Sequence, residues 1–312
     1  MYYLFIIIVT IFSYNIMYVY PVIEGSPNIS DKSSLQKLNV VASFYPWYEF
    51  TKKIGGEKIQ LSTVIPFGVE PHEWEPSPQK ISELNKADII IYNSKGFDSW
   101  LKQFTQAKLI DVSTGLQLIE TNLPEEYSSN DNSQKYDPHI WLDPILVKNI
   151  TQTINNQLIK LDPINIDYYK QNTNNFIKEL DLLDKQIRKS LINCKLHDFI
   201  TFHESFHYFA NRYGLTQHAV HQSLSSEGEI LPQQIINIIS LTKSLGIDTI
   251  YSEELKDQRL SKTFASEIPN GKVLLLSPIE GLDKKELEKN IGYINKMKNN
   301  TENLTIGLKC NL

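Results

Sequence analysis

A long amphipathic segment in the middle of the chain constrains the fold most strongly. From Asn165 to Leu191 the apolar residues step by three or four positions, as they do on one face of a helix. The stepping residues are Phe176, Leu180, Leu183, Ile187 and Leu191. At ~1.5 Å per residue such a helix is roughly 40 Å long, which is more than one small domain needs. The segment therefore predicts a rod shared by two domains, in agreement with the length of 312 residues.

Strand and helix patterns alternate on both sides of this rod. β-rich runs precede it at 38–44, 59–65, 87–92 and 108–112, and others follow it at 198–202, 217–220, 249–252 and 272–276. Helical patterns separate these runs, and a last helix is expected from Asp283. Such alternation is typical of parallel sheets with flanking helices. We therefore predict an α/β fold of two lobes, each a mostly parallel sheet, joined by one long helix.

The same patterns set the expected domain boundaries, with an N-terminal lobe at 38–163, a linking helix at 164–192 and a C-terminal lobe at 193–312. Residues 1–37 differ in kind, because they are apolar and aromatic up to Val22 and polar afterwards. They predict an export signal or membrane anchor with a polar tether, so that the lobes work outside the cytoplasm. A basic start and a cysteine for lipid attachment are missing, so an uncleaved anchor and a cleaved signal both stay open.

Charge and cysteine content exclude several classes of protein. The formal net charge is −5, and no run of lysine and arginine is dense enough to follow a phosphate backbone, so nucleic acid is not an expected partner. Cys194 and Cys310 are the two cysteines. They are too few for a disulfide framework or a cysteine-rich zinc motif, and the sequence leaves open whether they pair.

Three histidines follow strands or occupy stiff turns. His72 comes after the strand at 59–65, and His203 directly ends the strand at 198–202. His139 lies in the stretch Asp137-Pro138-His139-Ile140-Trp141-Leu142-Asp143-Pro144, whose prolines stiffen the turn. Open α/β sheets place ligands outside the carboxyl ends of strands. Neutral imidazoles on rigid loops suit Zn²⁺, or Mn²⁺ and Fe²⁺ if carboxylates complete the shell. The alternative for His139 alone is a core histidine packed on Trp141.

A second motif overlaps His203. The string His203-Glu204-Ser205-Phe206-His207 matches HExxH, in which two histidines bind zinc and the glutamate is the general base of a protease. Glu227 or Glu229 would then be the downstream carboxylate. The motif belongs inside a helix, however, and here its first histidine follows a strand. We therefore expect His207 to be an ordinary helix residue, and His197, His218 and His221 to be partly exposed residues without a site role.

Taken together, these motifs resemble the metal-binding solute-binding proteins of ABC transporters, the ZnuA/TroA-like family. The resemblance is carried by Ser43-Phe44-Tyr45-Pro46, the stretch from Glu70 to Pro78, the stretch from Asp137 to Pro144, and the stretch from Phe202 to Ala210. It implies two lobes joined by one long helix with the metal in the cleft between them. His72 and His139 would be the ligands from the first lobe, and His203 would be the first ligand from the second.

The chain departs from that family in two places. Ser277 stands where the family usually has an aspartate ligand, and a hydroxyl is a poor substitute for a carboxylate. Either water or a nearby carboxylate then completes the set, and Glu280 is the first choice. The loop between Leu116 and Tyr136 is short and acidic, whereas many zinc-binding members have a long histidine-rich loop. A histidine as third ligand favours zinc over manganese.

The resemblance implies a function outside the cytoplasm. It predicts a monomeric receptor, not an enzyme, that has no catalytic residues and no cofactor of its own. The receptor would capture Zn²⁺, or Mn²⁺ or Fe²⁺, and pass the ion to an ABC permease and its ATPase. The alternatives are a zinc metalloprotease built on His203, Glu204 and His207, and a surface adhesin stabilised by a metal ion.

Overall fold

The computed structural model describes residues 37–121, 135–220, 231–254, 256 and 258–311. The expected leader at 1–36 lies outside the described residues, as do His221, Glu227 and Glu229. Within the described ranges, none of the helices combines the length and the apolar character needed to cross a membrane.

The N-terminal lobe is built on a sheet of four parallel strands. Its strands are β1 (Leu38–Ala42), β2 (Ile59–Thr63), β3 (Ile89–Tyr92) and β4 (Lys108–Asp111), in the order β2-β1-β3-β4. Its helices are α1 (Tyr45–Gly55), α2 (Pro78–Leu84), α3 (Leu101–Phe104) and α4 (Pro144–Leu161). Ile89 and Ile91 join one hydrophobic cluster and Ile90 joins another, because both faces of a parallel sheet are covered.

The predicted rod is helix α5 (Ile166–Leu191), which is 26 residues long. Its buried face is formed by Tyr169, Thr173, Phe176, Leu180, Leu183, Ile187 and Leu191, so all five of the expected apolar positions are buried. The helix packs on α1 and α4 of the N-terminal lobe and on two helices of the C-terminal lobe. It is therefore part of the core of both lobes.

The C-terminal lobe repeats the architecture of the first. Its strands are β5 (Asp198–Thr201), β6 (Thr216–Ala219), β7 (Thr249–Ser252) and β8 (Lys272–Leu275), all parallel and in the order β6-β5-β7-β8. Its helices are α6 (His207–Tyr213), α7 (Pro232–Leu245), α8 (Gln258–Ser266), α9 (Lys284–Glu288) and α10 (Tyr293–Gly307). The predicted class, two parallel-sheet lobes joined by a long helix, is confirmed.

The end of the chain differs from its sequence-based prediction. One helix was expected from Asp283, but the structure has two, α9 and α10, with Asn290 in the left-handed region (φ 51°) between them. Gly292 is the N-cap of α10, and a Cβ there would approach Glu49 Oε1 to 2.6 Å. The break therefore lets the chain pass close to α1.

The two cysteines, whose pairing the sequence left open, form a disulfide between Cys194 and Cys310. Beside it, the N–H of Leu196 donates to the carbonyl of Leu308 at 3.0 Å. The bond thus fastens the end of α10 to the segment that follows α5.

Candidate metal centre

Two short turns of the N-terminal lobe carry the first candidate ligands. His72 lies in a 3-10 turn after β2, and its N–H donates to the carboxylate of Glu70 at 3.4 Å. His139 directly precedes a second 3-10 turn, Ile140–Leu142, on the chain that leads from β4 into α4. Pro71 and Pro138 fix the backbone at these places, and the stiffening by Pro138 agrees with the sequence-based prediction.

The C-terminal lobe supplies the other two candidates. His203 comes just after β5 and is fully buried. Glu280 lies in the segment between β8 and α9 and is 3% exposed. Because parallel strands of both lobes end towards the same cleft, the four side chains meet between the lobes.

The four side chains converge on one point. His72 Nε2 and His139 Nε2 each lie 3.1 Å from Glu280 Oε1, and His203 Nε2 lies 3.7 Å from the same oxygen. One ligand atom from each residue lies within 4.8 Å of every other. Across the described part of the chain, this is the one group of three or more such side chains. Three imidazole nitrogens and one carboxylate oxygen are four ligands of the kinds that zinc prefers.

Carboxylates behind two of the rings fix their orientation. His139 Nδ1 lies 2.7 Å from Asp137 Oδ1, and His203 Nδ1 lies 2.7 Å from Glu253 Oε1. An ionised carboxylate accepts the Nδ1 proton, so Nε2 carries the lone pair that faces the cluster. The Nε2 atom of His203 is buried and has no hydrogen-bond partner. A cation in the cluster would satisfy this atom.

The electrostatics of the group favour a bound cation. Burial raises the pKa of the Glu280 carboxyl. The electrostatic interaction with His72 and the hydrogen bonds with the imidazoles outweigh the effect of burial, and they hold the pKa of Glu280 well below its usual range. Burial lowers the pKa of His72, against the opposing effect of Glu280. For His139 and His203 burial also lowers the pKa, but the carboxylate behind each ring outweighs it and the net pKa is raised. A metal ion must therefore displace protons from these two rings.

Ser277 takes no part in the group. Its hydroxyl donates to the carboxylate of Glu254 and accepts the N–H of Ile279 at 3.0 Å. Ile279 adopts a left-handed conformation (φ 59°) although it is β-branched, at a cost of roughly 1–3 kcal/mol. The turned backbone brings Glu280 to the cluster. Strain of this kind is typical of functional sites, where the surroundings hold an unfavourable conformation in place.

His207 is a helix residue, as expected, and it also contacts a carboxylate of the candidate centre. It begins α6, so His203 and His207 do not share one helix. Its Nδ1 lies 2.9 Å from Asp137 Oδ2, so Asp137 is shared between His139 and His207. His207 thus contacts the residue that orients a candidate ligand and lies outside the group of four. This arrangement is not that of an HExxH protease.

Sequence reasoning missed the two orienting carboxylates. Asp137 was part of the quoted motif but received no role, and Glu253 was not singled out. Glu253 directly follows the last residue of β7, so the strand-end rule that identified His203 would also have found it. His218, expected to lack a site role, is paired with Asp198 at 2.7 Å.

Ion pairs also join the lobes around the centre. Arg212 Nη2 on α6 lies 2.7 Å from Asp143 Oδ2 at the start of α4. Lys256 Nζ lies 3.5 Å from Glu70 Oε2, and burial together with Glu280 raises the pKa of Glu70 to about 7. These contacts bridge the two lobes beside the candidate centre.

Fold and site together define a class, the two-lobed solute-binding proteins with a metal centre between the lobes. The sequence model of the family described as "Zinc-uptake complex component A periplasmic" matches residues 40–307. The chain belongs to this family. Membership confirms the resemblance found in the sequence, the extracytoplasmic location, and the prediction of a transporter's binding protein and not an enzyme.

Individual relatives agree with this assignment. The high-affinity zinc uptake system protein ZnuA of Bacillus subtilis (strain 168) is 36% identical over 291 residues, which cover 90% of this chain and 91% of that protein. Zinc-binding AdcA of Streptococcus pyogenes serotype M18 (strain MGAS8232) is 32% identical, and the matched region spans 56% of its length.

Two solved structures are also similar. The Zn(II)-bound ZnuA-like domain of Streptococcus pneumoniae AdcA has a TM-score of 0.75 and 29% identity, over 87% of this chain and 99% of that one. The laminin-binding protein Lmb of Streptococcus agalactiae, described as having adhesin and metal-transporting activity, has a TM-score of 0.75 and 28% identity, over 88% of this chain and 100% of that one.

Proposed function

We propose that the protein captures Zn²⁺ outside the cytoplasm through His72, His139, His203 and Glu280 and delivers it to an ABC permease driven by its ATPase. The observation that carries this proposal is the convergence of the four side chains, two from each lobe, on one buried point. The names of the relatives, which refer to zinc uptake and zinc binding, support the choice of solute.

The donor set favours zinc over the other candidate ions. Zinc accepts three imidazoles and one carboxylate at about 2.0–2.2 Å with tetrahedral geometry. Mn²⁺ binds nitrogen ligands more weakly, and oxygen ligands suit it better. Four protein ligands leave no open position for substrate or water, whereas a catalytic zinc ion keeps one. The set therefore suits carriage of an ion.

Release follows from the division of the ligands between the lobes. A small opening of the cleft about α5 separates the pair His72 and His139 from the pair His203 and Glu280. Neither pair alone completes a zinc shell, so opening lowers the affinity. The permease would supply the energy for this opening by binding the open form more tightly.

The remaining assignments belong to the same proposal. The working units are the lobes at 38–163 and 193–312 with the linking helix at 164–192. Residues 1–37 hold the protein at the membrane or direct its export before cleavage. The protein acts as a monomer and has no nucleic-acid partner, in keeping with its net charge of −5.

Metal content and competitive zinc titration of the purified full-length protein test the proposal. We expect one zinc ion per chain in the wild type and loss of stoichiometric zinc in the His72→Ala, His139→Ala and His203→Ala variants. His218→Ala is the matched control, because His218 is paired with Asp198 outside the centre. Retention of tight zinc binding by any of the three variants would contradict the ligand set.

A second candidate function, adhesion, is favoured by the similarity to the laminin-binding protein Lmb. Binding of the purified chain to immobilised laminin, with and without a zinc chelator, tests it. Adhesion predicts saturable binding to laminin. Zinc transport alone predicts no binding to laminin, and it predicts a growth defect under zinc limitation when the gene is deleted.

A further inference from the structure

Helix α10 holds the segment that carries Glu280 through hydrogen bonds to its backbone. Asn300 accepts the N–H of Ser277 at 2.8 Å and donates to the carbonyl of Ser277 at 2.7 Å. Lys296, one turn earlier on the same helix, donates to the carbonyl of Gly281 at 3.2 Å. The backbone on both sides of Glu280 is therefore fixed by α10, and these contacts maintain the left-handed residue between them.

Lys296 is a buried cation with two carboxylate partners. It is 1% exposed, and its Nζ lies 2.6 Å from Glu254 Oε1 and 2.8 Å from Glu286 Oε1. Fully buried lysines are rare unless they are paired. Removal of this cation would leave two carboxylates without compensation, and the segments that bear them would shift towards water.

One of these partners links Lys296 to the rest of the centre. Glu254 also accepts the hydroxyl proton of Ser277. In the chain it directly follows Glu253, whose carboxylate lies 2.7 Å from His203 Nδ1. The same lysine thus restrains the segment with Glu280 and the segment with the orienting partner of His203.

We propose that Lys296 is a positioning residue of the metal centre. By bridging two carboxylates and a backbone carbonyl, it fixes the two segments that carry Glu253 and Glu280. The C-terminal lobe then presents its half of the zinc shell in the binding geometry before the ion arrives. The inference rests on the proposed function, since it concerns how tightly and in which geometry the same centre binds Zn²⁺.

The test compares Lys296→Met with wild type in the full-length protein. Competitive titration measures zinc affinity, and Co²⁺ serves as a second probe because its visible absorption reports the number and geometry of its ligands. We expect zinc affinity to fall roughly 10–100-fold, as for other residues that support ligands. We also expect a weaker, shifted cobalt band, and partial restoration of both properties in Lys296→Arg.

A matched control separates positioning from general stability. Met297→Ala removes a buried side chain of the same helix that contacts the hydrophobic core, so it lowers the melting temperature while zinc affinity and the cobalt band stay as in wild type. Ser277→Ala is a smaller change of the same network, and it provides the test should Lys296→Met fail to fold. We expect it to weaken zinc binding and alter the cobalt band in the same direction.

Three results would overturn the inference. The first is a Lys296→Met protein with wild-type zinc affinity and an unchanged cobalt band. The second, which applies if Lys296→Met does not fold, is a Ser277→Ala protein in which both properties are unchanged. The third is a loss of zinc affinity in Met297→Ala equal to that in Lys296→Met. A wild-type protein that binds no zinc would instead defeat the proposed function, so the two failures are distinguishable.

Discussion

The two halves of the candidate metal centre are held in different ways. In the N-terminal lobe the support is local, because Asp137 contacts the ring of His139 from two residues away and prolines stiffen the turns. In the C-terminal lobe the support is distant, because Glu253 reaches His203 across 50 positions of sequence and α10 anchors the segment of Glu280. The orientation of His139 therefore depends on a neighbour in sequence, whereas that of His203 and Glu280 depends on residues far away in the chain.

Substitutions of the four proposed ligands should have the largest effects on zinc affinity, and these effects should not differ between the two lobes. Glu280→Gln keeps the size of the side chain but removes the charge on which three imidazoles converge. We expect a loss of zinc affinity greater than the roughly 10–100-fold typical of supporting residues, equal in rank to His139→Ala. Competitive titration checks this, and near wild-type affinity in Glu280→Gln would show that another group completes the shell.

Substitutions of the two orienting carboxylates, Asp137 and Glu253, should affect zinc affinity differently in the two halves. Asp137→Asn and Glu253→Gln should each reduce zinc affinity roughly 10–100-fold, because a neutral amide is a weaker acceptor than the carboxylate that fixes the tautomer of each ring. The loss should be greater for Asp137→Asn, since Asp137 also holds His207 across the lobe interface at 2.9 Å. Calorimetric titration measures both variants. An equal loss would mean that the His207 contact contributes nothing to the centre.

Acid should release the ion from both halves. The folded-state pKa values of His139 and His203 are raised above 6.5 by the carboxylates behind them, and zinc requires the neutral rings. Affinity should therefore be complete only above these raised values and should fall as the pH drops through them, starting above pH 6.5. Glu280 stays ionised over this range, since its pKa is held well below 4.5. Zinc titrations between pH 8 and pH 5 check the direction, and a flat profile would contradict it.

The disulfide should have the smallest effect on zinc. Reduction, or the double change Cys194→Ser and Cys310→Ser, removes a cross-link that spans 116 positions and should cost about 2–5 kcal/mol of stability. The bond lies at the ends of α5 and α10, away from the four ligands, so zinc affinity at 25 °C should be unchanged. Thermal unfolding and zinc titration of the same sample distinguish the two effects, and a parallel loss of affinity would place the bond among the supports of the C-terminal half.

The sequence predicts those features that depend on residues close together in the chain. Helix α4 runs from Pro144 to Leu161, and the sequence marks both ends, with a proline at the first helical position and Asp162 followed by a proline after the last. The three histidines were singled out because each follows a strand or lies in a proline turn, and the structure places them in one group; their role as ligands stays a prediction. Glu280 was a first choice supported by proximity in sequence to Ser277, and the structure brings it into the group.

Contacts between distant residues were beyond that reasoning. The sequence alone suggests that Lys296 is an exposed lysine of a helix. Its burial follows only from the packing of α10 against the Glu280 segment, because its two carboxylate partners lie in separate parts of the lobe. The break between α9 and α10 likewise depends on the approach of Gly292 to Glu49 in the other lobe. Both features arise from tertiary packing, which no local pattern encodes.

The most direct test of a zinc ion shared by both lobes is X-ray absorption spectroscopy of the zinc-loaded full-length protein. We predict three imidazole nitrogens at about 2.0–2.1 Å and one carboxylate oxygen at about 2.0–2.2 Å, with the same shell in His218→Ala. A shell of two imidazoles, or one of six oxygens, in the wild-type protein would contradict a centre built from His72, His139, His203 and Glu280.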